Sequence, residues 1–169
     1  LKATRTNQTF YYILNTTNNT ALWYATSGGH VNIVKYLLKT CEGIDIDTPD
    51  TNQWTPFMVA SRLGHTEIMN ELYMFKKNNA LKMDLINSKS MHQTPLIIAS
   101  HAKQLKTVEY LLSRDGILVN DRVHDGWNAL MVACEVGSTS IVSALMKHPK
   151  IEVRIMRNNG YSALHQACL

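Results

Sequence analysis

Apolar residues along this chain change period and then repeat the change. Ile33-Val34 with Leu37-Leu38, Ile68-Met69 with Leu72-Tyr73, Ile141-Val142 with Leu145-Met146, and the weaker Val108 with Leu111-Leu112 follow one spacing, i, i+1, i+4, i+5. That spacing lays a single apolar stripe along a helix. Ahead of each stripe stands a six-residue segment of fixed character. It reads Thr20-Ala21-Leu22-Trp23-Tyr24-Ala25, then Thr55-Pro56-Phe57-Met58-Val59-Ala60, then Thr94-Pro95-Leu96-Ile97-Ile98-Ala99. It returns as Asn128-Ala129-Leu130-Met131-Val132-Ala133 and Ser162-Ala163-Leu164-His165-Gln166-Ala167. The steps are 35, 39, 34 and 34 residues, the third position is always Leu or Phe, and the sixth is always Ala. A fixed period in this range marks a stack of small units, each unable to bury its apolar face alone.

The hexapeptide predicts a helix start. Its first residue is Thr, Asn or Ser, whose side-chain oxygen accepts from free N–H groups at a helix N-terminus. Its second is Pro or Ala, and Pro is favoured at the first helical position. The Leu or Phe faces inward, and Ala three residues later lies on the same face and lets a neighbouring helix approach. Gly28-Gly29, Gly64 and Gly137 break the chain before the second helix, as residues that reach the left-handed backbone region cheaply do. In the third unit Lys103 stands at that place, so its turn is expected to close in another way. After each second helix comes a short extended pair, Ile46-Asp47, Ile86-Asn87, Val119-Asn120 or Val153-Arg154, which can form one arm of a hairpin reaching to the next unit.

These units resemble ankyrin repeats, whose signature runs T-P-L-H-x-A, then G-H, then a Leu-rich second helix, then V-N. Thr20 to Leu38, with Gly29-His30, and Thr55 to Tyr73, with Gly64-His65, carry the resemblance most fully. It covers about residues 16 to 169, or about four full repeats and a partial fifth. The His of T-P-L-H survives only as His165, and the Asn of V-N only as Asn87 and Asn120. The resemblance implies an all-α repeat solenoid of helix–turn–helix units joined by short β-hairpin loops. A tetratricopeptide-type array has a similar period, but it lacks the extended segment between units and the capped Thr-Pro start.

The expected organisation is an N-terminal cap, or the tail of a preceding repeat, over 1–15, followed by a repeat domain over 16–169. Its units start near 16, 51, 90, 124 and 158. The last is truncated, and with a first residue that is not Met the chain reads as a segment of a longer protein that continues past Leu169. Extra length between Tyr73 and Asn87, around 76–82, either lengthens a helix or projects as a loop.

Composition narrows the function. The 169 residues are 45% apolar, enough for a packed core rather than a disordered tract. No apolar run approaches the ~20 residues of a membrane span. The net charge of +4 is scattered, without the basic stripe that nucleic acid would require. The three cysteines, at wide spacing, are no disulfide framework and point to a reducing, cytosolic or nuclear setting, with the cytoplasm expected. The sequons at Asn7, Asn15 and Asn18 then fall by chance in an Asn- and Thr-rich stretch. No phosphate loop, Cys-x-x-Cys or His-Glu-x-x-His motif occurs. No catalytic residue, cofactor or metal is therefore expected, and Cys134 and Cys168 are expected as small core residues. The resemblance implies that His30, His65 and His165 serve turn hydrogen bonds. Asn120, eight residues after Leu112, also resembles substrates of an animal asparagine hydroxylase, although a hairpin Asn bonding its own backbone is the simpler reading.

Repeat stacks present an extended concave surface, and the resemblance implies that a protein partner is bound by the hairpin tips and the first-helix face. The residues just before each cap then form a row, Asn19, Trp54, Gln93, Trp127 and Tyr161, with Arg62, Leu63, His101, Glu135 and Val136 beside it. The expected molecule is a non-catalytic interaction segment, monomeric within a larger chain. The alternative is the docking or regulatory arm of a larger enzyme or channel.

Overall fold

The structure, a computed structural model, describes residues 20–81, 84–89 and 93–167. The expected cap over 1–15, and the residues Asn19 and Cys168, lie outside those residues. The described helices are α1 (Ala21–Ser27), α2 (Val31–Thr40), α3 (Pro56–Leu63), α4 (Thr66–Asn78), α5 (Pro95–His101), α6 (Leu105–Leu112), α7 (Ala129–Glu135), α8 (Thr139–Met146) and α9 (Ala163–Ala167). First helices pack in the order α1, α3, α5, α7, α9, and second helices in the order α2, α4, α6, α8, so each unit adds one helix to each of two layers. This is an all-helical repeat solenoid.

Each first helix starts as its sequence dictates. Thr20, Thr55 and Thr94 accept from the backbone N–H of Trp23, Met58 and Ile97, and Asn128 accepts from that of Met131. In the last unit the His165 ring reaches back to Ser162, with Nδ1 3.1 Å from the Ser162 amide and 2.8 Å from its hydroxyl. The inner helices are buried almost around their whole circumference: every residue from Pro56 to Ser61, Pro95 to Ser100 and Ala129 to Ala133 is shielded from solvent. Second helices bury a narrower stripe, with Val34, Ile68, Met69, Leu72, Val108, Leu111, Ile141 and Leu145 inside and Ile33 and Met146 exposed.

The turn between the paired helices is the same in all four units. The sixth-position Ala accepts, across five residues, from the amide opening the next helix: Ala25 from His30, Ala60 from His65, Ala99 from Gln104, Ala133 from Ser138. This bond closes a helix C-terminus when the intervening residue is left-handed. Gly29, Gly64 and Gly137 have φ of +70°, +79° and +67°, and Lys103 joins them at +57°. The third turn therefore does not close in another way; it closes like its neighbours, with a lysine accepting the strained backbone. Glycine has a second use at two of these positions. A Cβ on Gly29 would lie 2.9 Å from the His65 ring, and one on Gly64 would collide with the Gln104 carboxamide of the next unit. Lys103 faces a unit whose corresponding residue is the smaller Ser138. His30 and His65 make no side-chain cap bond. Their rings pack against Gly28 and Gly29, so the turn hydrogen-bond role holds for His165 alone.

Extra length in the second unit lengthens its helix: α4 has 13 residues against 10 in α2 and 8 in α6 and α8. Its last turn carries Lys76 and Lys77, where cations suit the helix dipole.

Units are also tied through their extended pairs. Asn87 donates to the Gly116 carbonyl (3.0 Å) and accepts from the Leu118 amide (2.8 Å). Asn120 donates to the Lys150 carbonyl (2.6 Å) and accepts from the Glu152 amide (2.9 Å). Asn120 thus bonds the next unit's backbone, not its own. The tips fold back through a single inter-arm bond, from the amides of Asp50, Val123 and Arg157 to the carbonyls of Trp54, Trp127 and Tyr161.

Candidate interaction surface

That inter-arm bond fixes where the row residues point. Each of Trp54, Trp127 and Tyr161 closes a tip with its carbonyl and stands one residue before a capped first helix. Left-handed residues shape the later tips, Asp125 and Gly126 in one and Gly160 in the other, and Gln53 takes the same conformation (φ +62°) in the earlier one.

Of the nine predicted contact residues among the described ones, seven line two clefts. Trp54, Arg62 and Leu63 share the first, of about 300 Å³, with Trp23, Asp50 and Asn52. The Arg62 guanidinium lies 5.5 Å from the Trp54 ring centroid. Gln93, His101, Trp127 and Glu135 share the second, of about 560 Å³, with His124 and Asp125. Tyr161 belongs to neither. It is 41% exposed and leans on His165 at 5.5 Å between ring centroids.

Reasoning along the sequence missed Trp23 and Asp50. Trp23 lies inside the first helix, three residues past its cap, where the pattern offers only the general inward-facing class. Asp50 stands four residues before Trp54, and its carboxylate accepts from the amides of both Asn52 and Trp54 at 2.8 Å. An Asp four places ahead of a tip aromatic was the legible signal for it. Trp127 is partly committed to packing: the Arg157 guanidinium of the next unit covers it at 4.0 Å. Arg122 reaches the other way to Asn158 at 3.2 Å. Cys134 is half-buried rather than a core residue, and desolvation pushes its thiol up from the ordinary value.

A separate apolar groove of about 570 Å³ lies between α7, α8 and α9, lined by Leu130, Val142, Met146, Met156 and Leu164. Leu164 is 74% exposed there, while Ala163 is buried. Among the described residues no helix is long and apolar enough to cross a membrane.

Comparison with known proteins agrees with this architecture. The chain is 27% identical over 148 residues to a probable 26S proteasome regulatory subunit, p28, of Saccharomyces cerevisiae, which covers 86% of this chain and 61% of that one. It is 31% identical over 93 residues to an ankyrin repeat and KH domain-containing protein of Caenorhabditis briggsae, covering 55% of this chain and 4% of that one. It is 32% identical over 113 residues to alpha-latrotoxin-Lhe1a of Latrodectus hesperus, covering 66% of this chain and 7% of the toxin. The chain thus spans less than two thirds of the length of each of these relatives. The model of ankyrin repeats matches three times, over residues 3–80, 43–123 and 117–169. With that match running nearly end to end, the chain belongs to the ankyrin repeat family, whose stacks are protein–protein interaction modules.

Proposed function

We propose that this stack is a non-catalytic scaffold or adaptor segment of a longer cytoplasmic protein, and that it binds a protein partner through the row Trp54, Gln93, Trp127 and Tyr161 with Arg62, Leu63, His101 and Glu135 beside it. One observation carries the reading: residues far apart in sequence gather in two clefts on one face, each built around a tryptophan. Trp, Tyr and Arg are the side chains most enriched among binding hot spots. The similarity to a probable proteasome regulatory subunit supports a role inside a larger assembly.

Co-purification of the full-length protein from its source cells identifies the partner. Trp54→Ala and Trp127→Ala are then measured for both affinity and thermal stability. Loss of about 2 kcal/mol of binding at either Trp supports the row. Unchanged affinity with lowered stability would make both rings packing residues and move the site elsewhere.

A second reading, the docking or regulatory arm of a larger enzyme or channel, is favoured by the small share of the longer relatives that the chain spans. A catalytic or membrane-spanning segment elsewhere in the full-length sequence decides for it.

A further inference from the structure

We infer that the two clefts together recognise an amphipathic helix with an acidic residue at one end of its contact face and a basic residue about four turns away. This inference rests on the row proposed above and adds what the row selects. Two residues beyond each sixth-position Ala, at the end of the first helix, the successive units carry Ser27, Arg62, His101 and Glu135. The position runs from neutral through cationic to anionic along the stack.

Arg62 and Glu135 are exposed, and neither has an ion-pair partner among the described residues. Two pairs of opposite charges do meet across adjacent units, Lys35 with Glu67 (2.9 Å) and Lys89 with Asp121 (2.8 Å). The local environments sharpen the difference. In the first cleft the buried Asp50 carboxylate is turned to the amides of Asn52 and Trp54, and Arg62 is the exposed charge. In the second, Asp125, 3.0 Å from the His124 ring, lines the same cleft as Glu135.

Helices pack at about 8–10 Å, so two unit steps place Arg62 and Glu135 about 20 Å apart. A helix rising 1.5 Å per residue covers that distance in about 14 residues and returns both charges to nearly one face. An extended segment fits less well. It needs main-chain partners from an open strand edge, and the described residues include no strand, only an isolated bridge between Met156 and Ser162. A helix satisfies its own backbone and asks the row only for side-chain contacts.

The test uses three Ala-rich, stapled helical peptides of roughly 22 residues. Each carries Leu and Tyr on one face, with two charged sites about 14 residues apart occupied by Glu and Lys, Glu and Glu, or Lys and Lys. Binding is followed by fluorescence anisotropy at pH 8 in low salt. The mixed peptide should bind about fivefold more tightly than either like-charged peptide, and the difference should shrink in 0.5 M salt through screening. Glu135→Lys should move the preference to the doubly acidic peptide by a similar factor. Equal affinities for all three, absence of binding by any, or an unchanged preference in Glu135→Lys overturns the inference. The row itself is judged separately, by the effect of Trp54→Ala and Trp127→Ala on the native partner.

Discussion

Among the described residues the buried Tyr110 hydroxyl of α6 has no hydrogen-bond partner, and burial pushes its phenol up to about 12. Its ring, in contrast, is well used: the Arg114 guanidinium lies 4.6 Å from it and 5.7 Å from the ring of Tyr73. Tyr110→Phe keeps the ring and removes a desolvated donor, so urea unfolding should show stability unchanged or raised by up to about 1 kcal/mol. Asp47 presents the complementary case. It occupies the place held by Asn87 and Asn120 in the next two units, but it has no amide to donate and its buried Oδ1 has no partner among the described residues. Desolvation, helped by nearby Asp45, raises its pKa above the ordinary carboxylate value. A carboxyl raised in the folded state is penalised there when charged, so its unfavourable contribution is present at neutral pH and relieved as pH falls through the folded value. Asp47→Asn should therefore stabilise the protein by about 1 kcal/mol at pH 7, and its advantage should narrow as melts are repeated toward pH 4. The Asn-for-Asp difference is plain in the sequence. What the Asn bonds is not, because its partners lie 29 to 32 residues further on in another unit.

At the scale of the element, four helix starts were legible because capping is local: a Thr or Asn and an amide three residues later decide it. The turn at Lys103 was not legible. Side-chain identity argued for a different closure, yet the Ala99–Gln104 bond and the packed helices on either side impose the left-handed backbone regardless. Holding a non-glycine residue there costs about 1–3 kcal/mol, offset in a glycine variant by up to about 1 kcal/mol of greater unfolded-state freedom. Lys103→Gly should thus raise stability by about 1 kcal/mol in chemical denaturation, and an unchanged midpoint would mean the turn carries no strain. The inner helices set the opposite extreme. Leu96 and Leu130 are almost fully buried, so truncating either to Ala should cost about 2–5 kcal/mol. A loss under about 1 kcal/mol at both would remove these residues from the shared core.

Across the whole molecule, the row could be placed from the period alone, because equivalent positions in a stack fall in line. The division into two clefts could not, since it depends on which rings neighbouring units cover. Trp54 is approached by Arg62 of its own unit, whereas Trp127 is covered by Arg157 of the following one at the shorter distance of 4.0 Å. The two tryptophans should therefore respond differently to removal. In a stack, stability is a sum of unit terms and nearest-neighbour interfaces, and units can open one at a time from an end. Trp127→Ala deletes part of the contact between the fourth and fifth units, so it should loosen the last tip and α9 before the rest. Hydrogen exchange should show the amides of Arg157 and Gln166, which donate to Tyr161 and Ser162, losing protection while those of His65 and Gln104 keep theirs. Among the described residues the Trp54 ring has its guanidinium contact within its own unit, at Arg62, so in Trp54→Ala exchange should stay close to wild type while partner affinity falls. Equal, global loss of protection in both variants would show that the stack unfolds as one cooperative body and that neither ring is specialised.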